Sequence, residues 1–393
     1  MFSQKIVDSL NKSSWIRAMF EEGEKLRKLH GADKVYDFSL GNPEIEPPEA
    51  ARNMLKKLVL DDTPGKHRYM SNAGYDDVRQ KVAAYLTKEH GIPFTMANIV
   101  MTTGAAGALN VVLKTLLDPG DEVIVFSPFF VEYLTYIDNH GGKPVTVATD
   151  PETFQPDAAV LEKHITPRTK AVIINSPNNP TGVVYSKETL DSISQVLKAK
   201  EKELGTAIYV ISDEPYTKIT YDNTVVPSVF KAFDNAIAVN SFSKSLALPG
   251  ERIGYIAASG SIKDVNVLVG GLIYCNRTLG FVNAPAMMQK VIAEALDESI
   301  DVEWYTKRRD MLYNHLVSLG FSCVKPKGAF YLFPKSLIED DVEFVKRAVK
   351  YNLLLVPGRG FGCPGHFRIA YCMNIKTVEN SLPAFEALAK EFK

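Results

Sequence analysis

The chain has 393 residues, of which 46% are hydrophobic and 23% are charged, and its formal net charge is −1. This composition is typical of a globular protein, and the length predicts two domains or one large domain with an appendage. A nearly neutral charge argues against a broad surface for nucleic acid or anionic membrane, while leaving room for a local site that binds a small anion.

The N-terminal segment and the cysteines indicate the cellular compartment. The first residues carry charges throughout and lack the continuous apolar stretch of a secretory signal, and no charge-free apolar run approaches the ~18 residues of a membrane-spanning helix. The cysteines form neither a CxxC pair nor a metal-binding spacing; they are Cys275, Cys323, Cys363 and Cys372. We therefore expect a cytoplasmic protein with reduced thiols and no metal site.

Short apolar runs alternate with helical patterns through the middle of the chain. The runs are EVIVF after Asp121, AVIIN from Ala171, IYVIS from Ile208 and AIAVN from Ala236, with IGYIAAS after Arg252 as a further candidate strand. Continuous apolar strands separated by helices are typical of a parallel sheet that is covered on both faces. The predicted fold class is therefore α/β, with a doubly wound and mainly parallel sheet.

The C-terminal part has a different pattern. A helical segment, DVEWYTKRRDMLYNHLVSLG, precedes strand-like pieces around GAFYLF and HFRIAY and a closing helix. This pattern predicts a smaller α+β domain. We expect residues 1–45 to form an N-terminal segment that joins the small domain, residues 46–282 to form the large domain, and residues 283–393 to form the small domain.

Polar side chains follow three of the predicted strands. SPNNPTG follows AVIIN, DEPY follows IYVIS and SFSK follows AIAVN, which places Asn179, Asp213, Tyr216 and Lys244 just after strand ends. Ligands of open α/β sheets bind outside the carboxyl ends of the strands, so these side chains are expected to converge on one crevice. Each alone has an ordinary explanation as a turn, a helix cap or a packed aromatic ring.

Together these side chains suit a pyridine cofactor that Lys244 holds as an imine. A lysine amine is a poor nucleophile at neutral pH unless its site desolvates it or holds it in such a linkage. A nearby carboxylate, Asp213, would keep the ring nitrogen protonated, and Tyr216 with Asn179 could donate to the ring oxygen. Phe130 is suited to stack on the ring, although a buried core position is an equally good interpretation.

A phosphate site is predicted beside this lysine. TTGAAGALN places a glycine turn directly before an apolar helix, so the amides of Ala105 and Ala106 can face an anion. The turn does not spell GxGxxG, and many such turns bind no phosphate, so this signal is weak alone. Ser241, Ser243 and Arg252 strengthen it because they add the donors that a phosphate prefers.

These motifs occur in an order that resembles a known family. GNP at Gly41, HRYMSNAGYDDVR, TTGAAG, PFFVEY, NNPTG, DEPY, SFSK with Arg252, and FRIAY resemble the motifs of class I/II aminotransferases, which are pyridoxal-phosphate enzymes of fold type I related to aspartate aminotransferase. The resemblance implies the ring and phosphate contacts given above, with Lys244 as the Schiff-base lysine. It also implies that Tyr69 reaches the phosphate of a neighbouring subunit, so that the active unit is a homodimer with shared sites.

The resemblance further suggests how substrate binds. Arg368, in FRIAY, resembles the arginine that clamps the α-carboxylate, although a surface ion pair is the simpler interpretation of this residue alone. Gly41 would bring its backbone near the same carboxylate. Arg359 stands where the family more often has a small hydroxyl residue, so it would either add a cation near the pocket or face solvent. The resemblance also implies that Arg277 lies close to where aspartate-specific members bring an arginine of the partner subunit to the second carboxylate of the substrate. Trp15 and the adjacent Ile16 could cover the pocket or pack as part of an amphipathic helix.

The predicted activity is a ping-pong transfer of an amino group from an L-amino acid to a 2-oxo acid, with Lys244 as the general base. Acidic or aromatic amino acids, with 2-oxoglutarate as acceptor, are the leading candidates. Two alternatives remain. A β-eliminating carbon–sulfur lyase would use the same lysine, and a non-catalytic cofactor-binding regulator would require a DNA-binding module for which the chain has no basic extension.

Overall fold

The computed structural model describes residues 2–11 and 15–392, and it describes only the backbone at residues 8, 9, 11, 15–20, 30 and 32. The α-helices of the described chain are α1 Gln4–Asn11, α2 Trp15–His30, α3 Glu49–Leu60, α4 Asp76–His90, α5 Gly104–Leu116, α6 Tyr133–Asn139, α7 Ala158–Glu162, α8 Lys187–Leu204, α9 Val229–Ala232, α10 Phe242–Ser245, α11 Val265–Thr278, α12 Ala286–Ala293, α13 Val302–Ser318, α14 Asp341–Val349 and α15 Ile375–Lys390. The strands are β1 Tyr36–Asp37, β2 Ile99–Thr102, β3 Glu122–Ser127, β4 Lys143–Ala148, β5 Thr169–Asn175, β6 Tyr209–Asp213, β7 Ala236–Ser241, β8 Gly254–Ala258, β9 Tyr331–Leu332, β10 Leu353–Leu354, β11 Val356–Pro357 and β12 Phe367–Ala370.

A seven-stranded sheet in the order β2-β8-β7-β6-β5-β3-β4 forms the centre of the molecule. Its strands pair in parallel except β8, which runs antiparallel to both β2 and β7. The predicted α/β class with a mainly parallel sheet is therefore confirmed. The reversal at β8 follows from its short connection to β7, because only the four-residue helix α10 and a 3-10 turn lie between them, whereas a parallel crossover usually contains a full helix.

Helices cover both faces of this sheet, as its continuous apolar strands require. On one face α5 and α11 pack over β7, β8 and β2 and bury a cluster that includes Leu109, Val112 and Leu272. On the other face α3, α4, α8 and α12 contribute to a second cluster, which includes Val82 and Ile193. Among the described residues, no helix is both long enough and apolar enough to cross a bilayer.

A separate core forms around the C-terminal residues. The strands β11, β12 and β9 make a small antiparallel sheet that packs with α13, α14 and α15, and β1 pairs in parallel with β10. We propose that this core is the small domain and that β1 attaches the N-terminal segment to it. The helix α12 packs against α3 and α4, and its apolar side chains, from Met288 to Ile292, belong to the core of the large sheet together with Ala295 and Leu296. We therefore propose a domain boundary near residue 297 rather than 283.

Candidate functional site

A cavity of about 370 Å³ lies at the carboxyl ends of the parallel strands. It collects most of the side chains that the sequence singled out: Gly41, Ala105, Ala106, Phe130, Asn179, Asp213, Tyr216, Ser241, Ser243, Lys244, Arg252 and Arg368. The register of the sheet explains why these side chains lie close together. Asn175 is paired with Asp213, and Asp213 is paired with Val239, so β5, β6 and β7 end at nearly the same level. Lys244 follows within the short helix α10.

The carboxylate of Asp213 is only half satisfied by the protein. Its Oδ2 accepts a hydrogen bond of 2.5 Å from the hydroxyl of Tyr133. Its Oδ1 is buried and receives no donor from the described residues. Burial raises the pKa of Asp213 to about 6, and the bond from Tyr133 opposes that shift. A buried acceptor that lines a cavity suits a ligand bearing an N–H group at this point.

The amine of Lys244 is desolvated and anchored. Its Nζ donates to the carbonyl oxygen of Gly41 at 2.5 Å and lies 5.5 Å from the ring centre of Phe330. Burial lowers the pKa of Lys244 to about 8; the nearby positive charges of Arg368 and Arg252 lower it further, while Cys372 acts in the opposite direction. About a tenth of the amine is therefore unprotonated at pH 7, far more than for a lysine with the ordinary pKa of ~10.4, and the free amine is the form that nucleophilic and base chemistry require.

This pKa gives a direct test on the cofactor-free protein. The rate at which Lys244 is acetylated, followed by mass spectrometry across a pH series, should reach half of its maximum near pH 8 in the native protein. In the denatured chain the half-maximal rate should occur near pH ~10.4. Because the unfolded chain holds this proton up to higher pH, the group favours the native state increasingly as pH rises between the two values. Equal midpoints in the native and denatured chains would contradict a desolvated amine.

The N-terminus of α5 and the residues near Lys244 form an anion cradle. Thr103 provides no side-chain cap, so the amides of Ala105 and Ala106 in the first turn are available to a ligand. Gly104 has φ of +77°, and a Cβ at this position would lie 2.9 Å from Arg252 Nη2. Arg252 Nη1 donates to a backbone carbonyl, that of Pro249, at 2.8 Å.

Two serine hydroxyls complete this cradle. Ser241 Oγ and Ser243 Oγ are 2.6 Å apart, and Ser241 Oγ also accepts from the amide of Ser243. Both side chains are buried at the end of β7 and the start of α10. The helix N-terminus, two hydroxyls and one guanidinium are the donor set that a phosphate group prefers.

Arg368 is fully enclosed and is not part of a surface ion pair. Its side chain is 2% exposed, its Nη1 donates to Asn179 Oδ1 at 3.0 Å, and its Nη2 donates to the carbonyl of Ser39. Its Nε has no acceptor within the described part of the chain. Burial lowers the pKa of Arg368, and Tyr331 and Tyr216 oppose that shift. A buried guanidinium with a free donor suits a carboxylate ligand.

Tyr216 and Gly41 meet at a third residue, Tyr331. The hydroxyls of Tyr216 and Tyr331 are 2.8 Å apart. A Cβ on Gly41 would lie 2.2 Å from the Tyr331 hydroxyl, so the packing of Tyr331 by itself requires glycine here. Phe130 packs edge-on to Tyr133 at 5.4 Å between ring centres and also lines the cavity.

Several predicted residues do not reach this cavity within one chain. Tyr69 is 90% exposed and lines a separate hollow, and Arg277 lies 5.6 Å from the ring centre of Tyr274 on α11. Arg359 does not line the cavity in this chain: its amide and Nε donate to Asp341 at 2.7 and 3.0 Å, because that fully buried carboxylate requires a partner, and its contact with substrate stays a prediction. The side chains of Trp15 and Ile16 lie outside the described residues.

Two residues that line the cavity, Tyr331 and Asn175, and one that lies behind Asp213, Tyr133, were not predicted from the sequence. Tyr133 orients Asp213, and Tyr331 contacts Tyr216. Asn175 donates to the carbonyl of Asp213 at 2.9 Å and accepts from the amide of Asn179 at 2.8 Å. Asn175 was detectable as the polar last residue of an apolar strand. Tyr133 lies within the quoted PFFVEY motif, but nothing in GAFYLF separates Tyr331 from a core aromatic residue.

Comparisons with known proteins agree with this geometry. The family model described as aminotransferase class I and II matches residues 33–385. A probable N-acetyl-LL-diaminopimelate aminotransferase of Bacillus subtilis is 33% identical over 90% of this chain and 89% of its own length. The aspartate/prephenate aminotransferase of Thermus thermophilus is also 33% identical and covers 91% of each chain.

Solved structures give the same result. An amino transferase from Eubacterium rectale superposes with a TM-score of 0.96 at 41% identity over 100% of both chains. The aspartate aminotransferase of Thermus thermophilus with maleate superposes with a TM-score of 0.87 at 29% identity over 99% of both chains. With its mainly parallel sheet and its lysine-centred cavity, the chain thus belongs to the aminotransferase class I and II family, whose members use pyridoxal phosphate to transfer amino groups.

Proposed function

We propose that the cavity around Lys244 binds pyridoxal phosphate and that the protein moves an amino group from an L-amino acid to a 2-oxo acid by a ping-pong mechanism. The observation that carries this proposal is the orphaned, buried Oδ1 of Asp213. This oxygen supports the proposal because it can accept from a ligand N–H at the floor of a cavity that also contains a desolvated lysine.

The cavity residues suit the cofactor at four points: its ring nitrogen, its ring oxygen, one face of its ring and its phosphate. Asp213 would pair with the protonated ring nitrogen, while Tyr216 and Asn179 would hydrogen-bond the ring oxygen and Phe130 would cover one face of the ring. The phosphate would occupy the cradle of Ala105, Ala106, Ser241, Ser243 and Arg252. Pyridoxal phosphate, when bound, supplies the electron-withdrawing ring that makes the Cα–H of an amino acid acidic.

The protein's own groups would bind substrate and move the proton. Arg368 Nε, which has no acceptor among the described residues, would bind the α-carboxylate and thereby fix the direction of the Cα–H bond. Lys244 Nζ, held near the Gly41 carbonyl, would take the proton from Cα and would deliver it to the aldehyde-derived carbon of the cofactor. Its pKa of about 8 is suited to both halves of that transfer.

A homodimer with shared sites completes the proposal. Tyr69 is 90% exposed in one chain, and Tyr274 on α11 is 58% exposed. We propose that Tyr69 of the partner subunit reaches the phosphate and that Arg277 of the partner subunit approaches the substrate side chain. We also retain the expectation of a cytoplasmic location.

An acidic substrate carries a second carboxylate, and its use as a donor requires a further cation near the cavity. Apart from Lys244, the cations that line the cavity within the described chain are Arg252 and Arg368, and the cofactor phosphate and the α-carboxylate would engage them. Relatives are named for aspartate, prephenate and N-acetyl-LL-diaminopimelate. We propose an acidic or aromatic donor with 2-oxoglutarate as acceptor, with the partner subunit's Arg277 as the third cation for acidic substrates.

A panel assay tests this function. The purified protein, loaded with pyridoxal phosphate, is mixed with individual L-amino acids with and without 2-oxoglutarate, and both glutamate and ammonia are measured. We expect glutamate to form only when donor and acceptor are both present. Release of pyruvate and ammonia without an acceptor would indicate a β-eliminating lyase, and no reaction with any donor would contradict both enzymes.

A further inference from the structure

A second cavity, of about 240 Å³, lies behind the candidate active site. Glu214 and Asn240 line it, whereas their chain neighbours Asp213 and Ser241 line the first cavity. Successive side chains of a strand point to opposite faces of a sheet. The two cavities are therefore placed back to back across the ends of β6 and β7, with helix α4 covering the second one.

The wall of this second cavity contains an incompletely satisfied carboxyl group. Glu214 is 7% exposed, and its Oε1 accepts a hydrogen bond of 2.8 Å from Ser212 Oγ. No described residue donates to its Oε2, and this oxygen is not among the fully buried atoms that lack a partner, so it is open to the cavity that Glu214 lines. A carboxylate oxygen that is open to a cavity can accept a charge-assisted hydrogen bond from a cationic ligand.

The charges around the cavity favour a positively charged ligand. Glu89 adds a second carboxylate, while Lys218, the one lysine among the described residues that line the cavity, directs its ammonium to the backbone carbonyls of Leu296 and Glu298. The imidazole of His90 does not compensate, because burial lowers its pKa to about 4 and leaves it neutral. Because the pKa of Glu214 is about 7, the cavity has an excess of negative charge at pH 8, where both carboxyl groups are ionised.

Aromatic rings complete the lining. Tyr85 and Tyr255 both line the cavity, and the ring of Tyr85 already carries the ammonium of Lys218 at 4.9 Å from its centre. Faces of aromatic rings attract cations, and planar guanidinium groups both stack on such rings and bind carboxylates through parallel N–H bonds. The volume is below the about 300–1,000 Å³ of sites for drug-sized molecules, which limits a ligand to a few heavy atoms.

We propose that this second cavity is a binding site for a small organic cation of the guanidinium or ammonium type, held by Glu214 and Glu89 against the tyrosine rings. Burial raises the pKa of Glu214 to about 7, the hydrogen bond from Ser212 opposes this shift, and the charge of Asp213 adds to it.

Isothermal titration calorimetry of the cofactor-loaded protein at pH 8 tests the site. Methylguanidinium is the probe, and N-methylurea, which has the same shape without the charge, is the control ligand at matched ionic strength. We expect saturable binding of methylguanidinium and none of N-methylurea. Glu214→Gln, which keeps the shape of the side chain, should weaken binding about tenfold or more.

Further variants make the result unambiguous. Glu89→Gln, on the exposed side of the cavity, should weaken binding by a smaller factor, and Glu303→Gln on α13 is the control that should leave it unchanged. Thermal unfolding of each variant checks that it is folded. The proposal is overturned by equal binding of both ligands, by an affinity that Glu214→Gln and Glu89→Gln leave unchanged, or by no binding of methylguanidinium.

Discussion

Replacing Lys244 by alanine should lower the rate of amino transfer by about 10⁴-fold or more, because one amine both holds the cofactor covalently and moves the proton. No other described lysine lines the cavity, so no second amine is available to replace it. Steady-state turnover with the best donor of the panel and 2-oxoglutarate measures this effect. A Lys244→Ala enzyme with wild-type turnover would refute the assignment.

Cofactor binding separates loss of chemistry from loss of the site. The variant should still bind pyridoxal phosphate reversibly, because the anion cradle and Asp213 are untouched. Borohydride treatment should then attach the cofactor permanently to the wild-type protein at Lys244, and should leave it removable by dialysis in the variant. Lys187→Ala is the matched control, since that lysine is 73% exposed on α8, and it should retain normal turnover and labelling.

Asp213→Asn should reduce turnover by about 10³-fold, comparable to the loss of a preorganised electrostatic contact in other active sites. Asparagine keeps the size of the side chain and an oxygen for the Tyr133 hydroxyl, but it cannot carry the negative charge that the protonated ring nitrogen requires. Turnover at saturating donor and acceptor gives the effect, and cofactor absorbance checks occupancy. Turnover within tenfold of wild type would show that the Asp213 charge is not needed.

Tyr133→Phe provides a graded comparison. The hydroxyl of Tyr133 lowers the pKa of Asp213, so its removal should raise that pKa above its value of about 6. A larger fraction of Asp213 is then protonated at a given acidic pH. The measurement is the affinity of the cofactor-free protein for pyridoxal phosphate as a function of pH, and the loss of affinity on the acidic side should begin at a higher pH in the variant. Turnover at pH 8 should fall far less than in Asp213→Asn, because the carboxylate remains ionised there.

The sequence was sufficient to predict the sheet and the floor of the site. Apolar runs with polar residues at their ends placed Asp213 and Lys244 correctly in one cavity, because parallel strands carry their ends to one edge of the sheet. The direction of β8 was not predictable from its composition, since a buried antiparallel strand is equally apolar. The sequence predicts α12 as part of the small domain, because an apolar helix face does not reveal which core it covers. The packing of α12 on α3 and α4 is the reason that we propose the later boundary.

Contacts between distant segments account for the remaining differences. Arg359 is a candidate for a substrate contact on its local motif alone, whereas the carboxylate that it contacts in this chain belongs to Asp341, 18 residues away on α14. Tyr331 lies 115 residues from Tyr216 along the chain, and its role depends on how two cores pack. The side chains that would contact the substrate side chain also depend on packing between distant segments, so no local motif encodes the choice of amino acid.

Arg368 is immobilised before any substrate arrives. Its bonds to Asn179 and to the Ser39 carbonyl tie β12 to the loop after β5 and to the segment after β1. An arginine side chain carries about 2 kcal/mol of rotamer entropy, and here much of that freedom is lost during folding rather than during binding. A carboxylate that meets this guanidinium therefore associates with a rigid receptor, and the loss of conformational freedom on binding falls mainly on the amino acid.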